Sequence, residues 1–414
     1  MDGALHPYPR LIETVLREAL TDTPVVCLIG PRQAGKTTLA RSLAPARAYV
    51  SLDEAGLCAT ARNDPEGFVD SLPGPVTLDE VQRAPEVMSS IKVVVDRDRR
   101  PGRFLLTGSA NLLLLPQVSE SLAGRMEVVS LQPLAEAEKQ RKPGAFLSSF
   151  LEGKLKPRVV SQPSRLVDLP GRMVAGGYPE PVARNPNRAR QWHRQYVRAI
   201  LQRDVRDIAK VRNEDDLGRL LELLSLRTGE LLNASSLGNE LKLCRETVEH
   251  YLAVLERLFL VRRLPAWHRN ACKRLIKTSK IHLVDSGLAA TLAGLKAEDW
   301  LSQRPRFGHL LESFVVQQLI CLAGWTDPDL RFWHYRDKDQ VEVDVVITQG
   351  ARVWGVEVKA SATVNPGDGH GLRRLAEQAG RDFQGGILLH AGANALPLAH
   401  PKLLAVPLAL LWSL

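Results

Sequence analysis

Aromatic residues make up only 5% of this 414-residue chain, and with 4 methionines and 5 cysteines it is poor in sulfur as well. The cysteines, Cys27, Cys58, Cys244, Cys272 and Cys321, are odd in number, scattered and free of CxxC spacing, which excludes a disulfide framework and a zinc ribbon. They are expected to be reduced thiols serving mostly as buried filler. Low-complexity tracts are missing too, so the chain is neither fibrous nor disordered. No uninterrupted apolar run approaches the ~18 residues of a membrane span. The first ten residues lack the basic start and apolar stretch of a secretory signal. The expectation is a cytoplasmic protein with no membrane partner.

What is present is 44% hydrophobic and 24% charged residues, enough to bury real cores. At roughly 150 residues per domain the length suggests two or three domains. A net charge of +9 makes an acidic partner such as nucleic acid plausible, although an arginine-rich composition gives the same balance by default.

The most specific pattern lies near the start. Val25-Val26-Cys27-Leu28-Ile29 is a short, wholly apolar, largely β-branched run, followed by Gly30-Pro31-Arg32-Gln33-Ala34-Gly35-Lys36-Thr37-Thr38 and a helical continuation. A strand, a glycine-rich turn and a helix form the context in which backbone N–H groups and a helix N-terminus cradle phosphate. The loop residues Gly30, Pro31, Gln33, Ala34, Gly35, Lys36, Thr37 and Thr38 are therefore the nucleotide-binding candidates. Lys36 is placed to reach the β and γ phosphates of ATP, and Thr37 to put its hydroxyl on Mg²⁺.

A phosphate loop calls for an acidic strand end, and Val76-Thr77-Leu78-Asp79-Glu80 supplies one. Asp79 would hold the metal through water, and Glu80 would polarise the attacking water as general base. Taken alone, the Asp-Glu pair reads as a helix cap. A third strand, Arg103 to Ala110, ends in small polar residues, of which Ser109 or Thr107 could position the water or touch the γ-phosphate.

These motifs, with Ser121-Leu122-Ala123-Gly124-Arg125, Leu131-Gln132-Pro133-Leu134, Gly176-Gly177-Tyr178-Pro179 and Arg203-Asp204-Val205, resemble the prokaryotic AAA-type P-loop ATPases that carry a conserved C-terminal domain of unknown function. The resemblance covers nearly the whole chain. It implies an ATPase that often forms a homo-oligomer, with Tyr8-Pro9-Arg10 near adenine. It also makes Arg125 a candidate catalytic arginine, in its own site or a neighbour's; a salt-bridged arginine at a helix end is the plain alternative. Arg203 and Arg206 carry the same ambiguity.

In the middle, residues 139–171, with little periodicity beyond a short Phe146 to Leu151 cluster, read as a linker, and Gln191 to Val211 as a helical lid. Asn233 or Ser235 can cap a helix running through Leu241, a turn follows at Leu243-Cys244, and Arg245 to Glu256 forms a second helix. Two strands, Leu258 to Leu264 and Lys280 to Asp285, complete a winged-helix layout. Its wing carries Arg269, Lys273, Arg274, Lys277 and Lys280, with Trp267 beside them, a set that could neutralise DNA phosphates. Glu246, Glu249 and Glu256 favour a purely structural module instead.

Near the C-terminus, Glu312, Asp344, Glu357 and Lys359 follow the order of the PD-(D/E)xK nuclease fold, which this region resembles. Glu312, Asp344 and Glu357 would form an oxygen cage for a metal ion, and Lys359 would position or activate water at a phosphodiester. Strand alternation puts Glu357 and Lys359 on one face. His334, Tyr335 and Arg336 could touch a nucleic-acid backbone or belong to a plain strand.

The expected fold class is α/β. A P-loop ATPase domain at 1–136 leads to a linker and lid at 137–215, a winged-helix region at 216–298 and a restriction-endonuclease-like α/β domain at 299–414. Two functions compete: an ATP-driven protein acting on nucleic acid, and an ATP switch whose inactive nuclease fold binds a partner protein. A small-molecule kinase finds no support.

Overall fold

The computed structural model describes residues 8–43, 46–108, 122, 124–159, 168–208, 213–270 and 278–414. The chain parts into two compact units, Arg10–Pro133 with Arg257–Phe259, and the remainder.

The first unit is built on five parallel strands, β1 (Val25–Ile29), β2 (Ala48–Ser51), β3 (Val76–Asp79), β4 (Phe104–Thr107) and β5 (Met126–Ser130). They lie in the order β2-β3-β4-β1-β5. Parallel strands need crossover connections, and helices supply them: Lys36–Ser42 after β1, Ala55–Asn63 and Pro65–Asp70 after β2, and Val87–Arg97 after β3. With helices available to cover both faces, a central strand can be apolar throughout, and every residue of β1 is buried. Leu78, Phe104, Leu106, Met88 and Ile91 fill the core. In such a sheet all strand carboxyl ends share one edge, where ligands bind. Because β4 lies between β1 and β3, its last residue, Thr107, stands between the turn after β1 and Asp79 at the end of β3.

The second unit begins with helices. The stretch expected as a linker is in part packed structure: Phe146–Leu151 is a helix whose Phe146, Leu147 and Phe150 are buried. The amides of Gly144 and Ala145 donate to the Leu414 carbonyl at 3.0 and 3.1 Å. A 23-residue helix, Pro186–Ile208, covers most of the stretch read as helical. On it Trp192 stacks on Tyr196 with ring centroids 4.9 Å apart, and Tyr196 shares a 2.9 Å hydroxyl hydrogen bond with Tyr178. Helices Glu214–Leu226, Ala234–Leu241 and Arg245–Arg257 follow, then an antiparallel ladder of β6 (Val261–Leu264) and β7 (Lys280–Leu283). The Asn233 carboxamide oxygen accepts from the Ser236 amide at 3.0 Å, the cap the sequence offered.

Helix Arg304–Thr326 then leads into β8 (Arg331–Arg336), β9 (Glu342–Gln349), β10 (Arg352–Lys359), β11 (Phe383–His390), β12 (Leu396–Pro397) and β13 (Leu403–Pro407). Strands β8, β9 and β10 form an antiparallel meander, and helix His370–Ala379 crosses from β10 to a parallel β11. Arg304–Thr326 is long and apolar enough to cross a membrane by length and composition, although Glu312, Gln317 and Gln318 interrupt its apolar run. It is 78% buried within the structure over its most apolar stretch, as expected of a helix that packs a core.

Of the described cysteines Cys27 and Cys321 are buried, whereas Cys58 is half-buried and Cys244 exposed, so the filler reading holds for two of them. Burial pushes the Cys27 thiol up to about 12, which leaves it protonated.

Candidate nucleotide site and a buried lysine among carboxylates

The loop after β1 takes the shape its glycines permit. Gly30 has φ +148°, and a Cβ there would lie 2.1 Å from the Leu131 carbonyl oxygen. Gly35 has φ +101° and caps helix Lys36–Ser42. Gln33 is left-handed without being glycine, at φ 58°, a conformation that costs about 1–3 kcal/mol and tends to collect at functional sites. Arg10 ties the loop down, donating to the Ala34 carbonyl at 2.6 Å and to the Gln132 carbonyl at 2.7 Å. Buried Lys36 donates to the Gly30 and Pro31 carbonyls at 2.8 and 2.9 Å, which keeps its ammonium inside the turn.

Three hydroxyls converge on the Asp79 carboxylate. Thr37 Oγ1 donates to Oδ2 at 3.1 Å, Tyr49 at β2 donates to the same oxygen, and Thr107 at the end of β4 donates to Oδ1. Burial and then the Asp79 carboxylate push the Tyr49 phenol up to about 12, so it remains a donor. Tyr49 was not singled out in the sequence; alternation along a short strand before an acidic strand was the only signal for it. Glu80 follows with φ 57° and ψ 41°, a second strained non-glycine residue, and its Oε2 accepts from the Gln82 carboxamide. A hydroxyl and a carboxylate side by side are hard oxygen donors that fit Mg²⁺, which commonly takes one or two carboxylates plus phosphate oxygens.

Ser109 lies outside the described residues, and Thr107 is the β4 residue that reaches the acidic strand end. Arg125 pairs in a bidentate fork with Asp96 on helix Val87–Arg97, its Nη2 at 3.0 Å from Oδ2. That is the salt-bridged alternative. The hydrogen bond lowers the Asp96 carboxyl and raises the guanidinium. The side chains of Arg203 and Arg206 lie outside the described residues.

The second unit gathers Glu312, Glu342 and Asp344 at a cleft of about 520 Å³, with Glu357 alongside Asp344. What stands among them is Lys280 of β7, not a position for an ion. Its Nζ lies 2.8 Å from Glu312 Oε1 and 3.7 Å from both Glu342 Oε2 and Asp344 Oδ1. Expected as an exposed wing cation, Lys280 is 4% exposed, because β7 pairs with β6 and turns this side chain toward helix Arg304–Thr326. Burial alone would lower its ammonium, but the surrounding carboxylates together raise it further, so it stays charged. Burial, then the Asp344 charge, push the Glu312 carboxyl up to about 8. Burial also raises Asp344, whose Oδ2 accepts from the Val358 amide at 2.8 Å. Glu357 is raised well above the carboxylate range by burial and Asp344, and its buried Oε2 has no hydrogen-bond partner among the described residues. Lys359 Nζ is 3.9 Å from Glu357 Oε1. His282, driven neutral by burial and by Lys280, donates or accepts at Ser313 Oγ at 2.9 Å.

Glu312, Asp344, Glu357 and Lys359 are thus brought together, but not as an ion cage. Among the described residues no group of three or more His, Cys, Asp or Glu side chains is arranged to hold a metal. His334 and Tyr335 are buried, with His334 Nε2 at the Thr278 carbonyl at 3.0 Å, and Arg336 pairs with Glu342. Trp267 is buried in the core of the C-terminal sheet. Lys273, Arg274 and Lys277 lie outside the described residues.

The parallel sheet, the loop after β1 and the Asp79 cluster define an AAA-type P-loop domain. Residues 22–139 match the family described as AAA domain, 167–299 and 307–411 match two domains of unknown function, DUF8612 and DUF4143. Uncharacterized protein Rv2008c of Mycobacterium tuberculosis and uncharacterized protein Mb2031c of Mycobacterium bovis are each 32% identical over 349 residues, covering 84% of this chain and 73% of theirs. The chain belongs to the family of these two mycobacterial proteins. Among solved structures, the Walker-type ATPase PABY2304 of Pyrococcus abyssi aligns with TM-score 0.42 and 17% identity, over 69% of this chain and 96% of that one. AMPPCP-bound DnaA from Aquifex aeolicus aligns with TM-score 0.28 and 15% identity, over 61% and 89%.

Proposed function

We propose that the chain binds ATP with Mg²⁺ at the loop after β1 and hydrolyses it. The observation that carries this reading is the meeting of Thr37, Tyr49 and Thr107 on Asp79 beside Lys36. Loop amides and Lys36 hold the β and γ phosphates, Thr37 and Asp79 hold the metal, and Glu80 accepts the proton of the attacking water. The metal supplies charge neutralisation on the phosphate oxygens. Phosphate release from ATP should be measurable with Mg²⁺ and lost in Lys36→Ala; no release from the unaltered chain under any divalent ion would sink the reading.

For the second unit, the order helix, three-strand meander, helix, parallel strand supports a PD-(D/E)xK-like fold, and three helices followed by the β6–β7 ladder support a winged-helix-like module. Lys280 among the carboxylates favours the reading in which this region does not cut, and serves the ATPase as a platform for a partner protein. Labelled single- and double-stranded DNA and RNA should survive incubation with Mg²⁺ or Mn²⁺, with or without ATP. Cleavage that disappears in Lys359→Ala would restore the nucleic-acid reading.

A further inference from the structure

We infer that the Lys280 ammonium takes the place of a divalent cation among Glu312, Glu342 and Asp344, so that the C-terminal carboxylates form a site for the chain's own lysine.

Three facts converge. The ammonium is within 2.8 Å of Glu312 and 3.7 Å of the other two carboxylates, so one buried charge serves all three. Its backbone is pinned on both sides: Lys280 pairs with Leu264 across the ladder, the Ile281 amide donates to the Glu230 carbonyl at 3.0 Å, and the Leu232 amide to the Ser279 carbonyl at 2.8 Å. The remaining charges are locally matched, with Arg336 on Glu342 and Lys359 nearest Glu357. A divalent ion bound by Asp344 would stand beside a fixed like charge in a poorly screened pocket, where repulsion is strong. A lysine also has three donors and no coordination geometry to satisfy, so it can serve these carboxylates without the fixed ligand arrangement that an ion demands.

Consequently Lys280 is a positioning residue that couples β7 to helix Arg304–Thr326 and β9. Divalent ions should enter the site only when Lys280 is removed. The readout is independent of ATP turnover, so its failure and failure of the ATPase reading are separable.

The test is a Mn²⁺ titration of the full chain without nucleotide, followed by electron paramagnetic resonance, on an Asp79→Asn background that removes the carboxylate proposed to hold metal at the nucleotide site. Lys280→Met should gain one Mn²⁺ site at least tenfold tighter than the Lys280-bearing chain shows, and Asp344→Asn should remove it. Lys280→Arg should stay without Mn²⁺. A folded Lys280→Met that gains no ion, or a Lys280-bearing chain whose Mn²⁺ site vanishes with Asp344→Asn, overturns the inference. Should Lys280→Met not fold, amine labelling of the unaltered chain decides: Lys280 should resist modification with and without millimolar Mn²⁺. Labelling induced by Mn²⁺ would mean that the ion displaces the lysine, against the inference.

Discussion

Thr37 and Asp79, 42 positions apart, meet at 3.1 Å through a hydroxyl-to-carboxylate hydrogen bond. That contact joins the first turn of the helix after β1 to the end of β3, across the inserted β4. Tyr49 fixes the same Asp79 oxygen from β2. Removing the phenol in Tyr49→Phe deletes one donor, worth about 0.5–1.5 kcal/mol. Steady-state phosphate release should drop about two- to tenfold in kcat/KM, against about a hundredfold or more for Asp79→Asn. Equal rates for Tyr49→Phe and the unaltered chain would show that the phenol only packs.

Glu80 stands one residue beyond Asp79 in a left-handed conformation. A general base contributes about 10²–10⁴-fold. Glu80→Gln should therefore bind a fluorescent ATP analogue as tightly as the unaltered chain while turning ATP over at least a hundredfold more slowly. Parallel loss of binding and turnover would place Glu80 in the loop's architecture and not in the chemistry.

Gly30 and Gly124 both sit at positive φ, +148° and +72°, yet their surroundings differ. A methyl at Gly30 meets the Leu131 carbonyl oxygen at 2.1 Å, whereas at Gly124 nothing among the described residues lies within 4 Å. Gly30→Ala should lower the thermal midpoint sharply and abolish nucleotide binding. Gly124→Ala should cost only the left-handed penalty of about 1–2 kcal/mol. Similar losses in both would mean that φ alone, without the clash, governs the loop.

The loop after β1 was legible because its residues are adjacent in the chain and their types are dictated by backbone geometry. Gly30, Gly35, Lys36 and Thr37 announce the turn, and Val25–Ile29 announces the buried strand before it. Tyr49 was not legible, since alternation along a short strand does not by itself mark a half-buried tyrosine as a partner of Asp79. The C-terminal carboxylates were found in order, but their meaning changed with Lys280. In sequence that lysine belongs to a basic stretch and reads as solvated; only the β6–β7 pairing carries it inward to Glu312. The stretch 139–171 looked like a linker because it has little periodicity beyond the Phe146–Leu151 cluster, which folds as a helix that buries three apolar side chains.

Burial and Asp344 hold the Glu312 carboxyl up from 4.5 to about 8, against the pull of Lys280. A carboxyl whose folded-state value is raised favours the native state while protonated in it, and that contribution is complete below about 4.5 and lost as pH rises through about 8. Glu312→Gln removes the titration but keeps a carbonyl acceptor for Lys280. The melting temperature of the unaltered chain, measured relative to Glu312→Gln at each pH, should therefore fall between pH 5 and 8 and then level off. A difference that is flat over this range, or that grows in favour of the unaltered chain, would show that the Lys280 ammonium holds Glu312 ionised throughout, with Coulomb attraction outweighing burial.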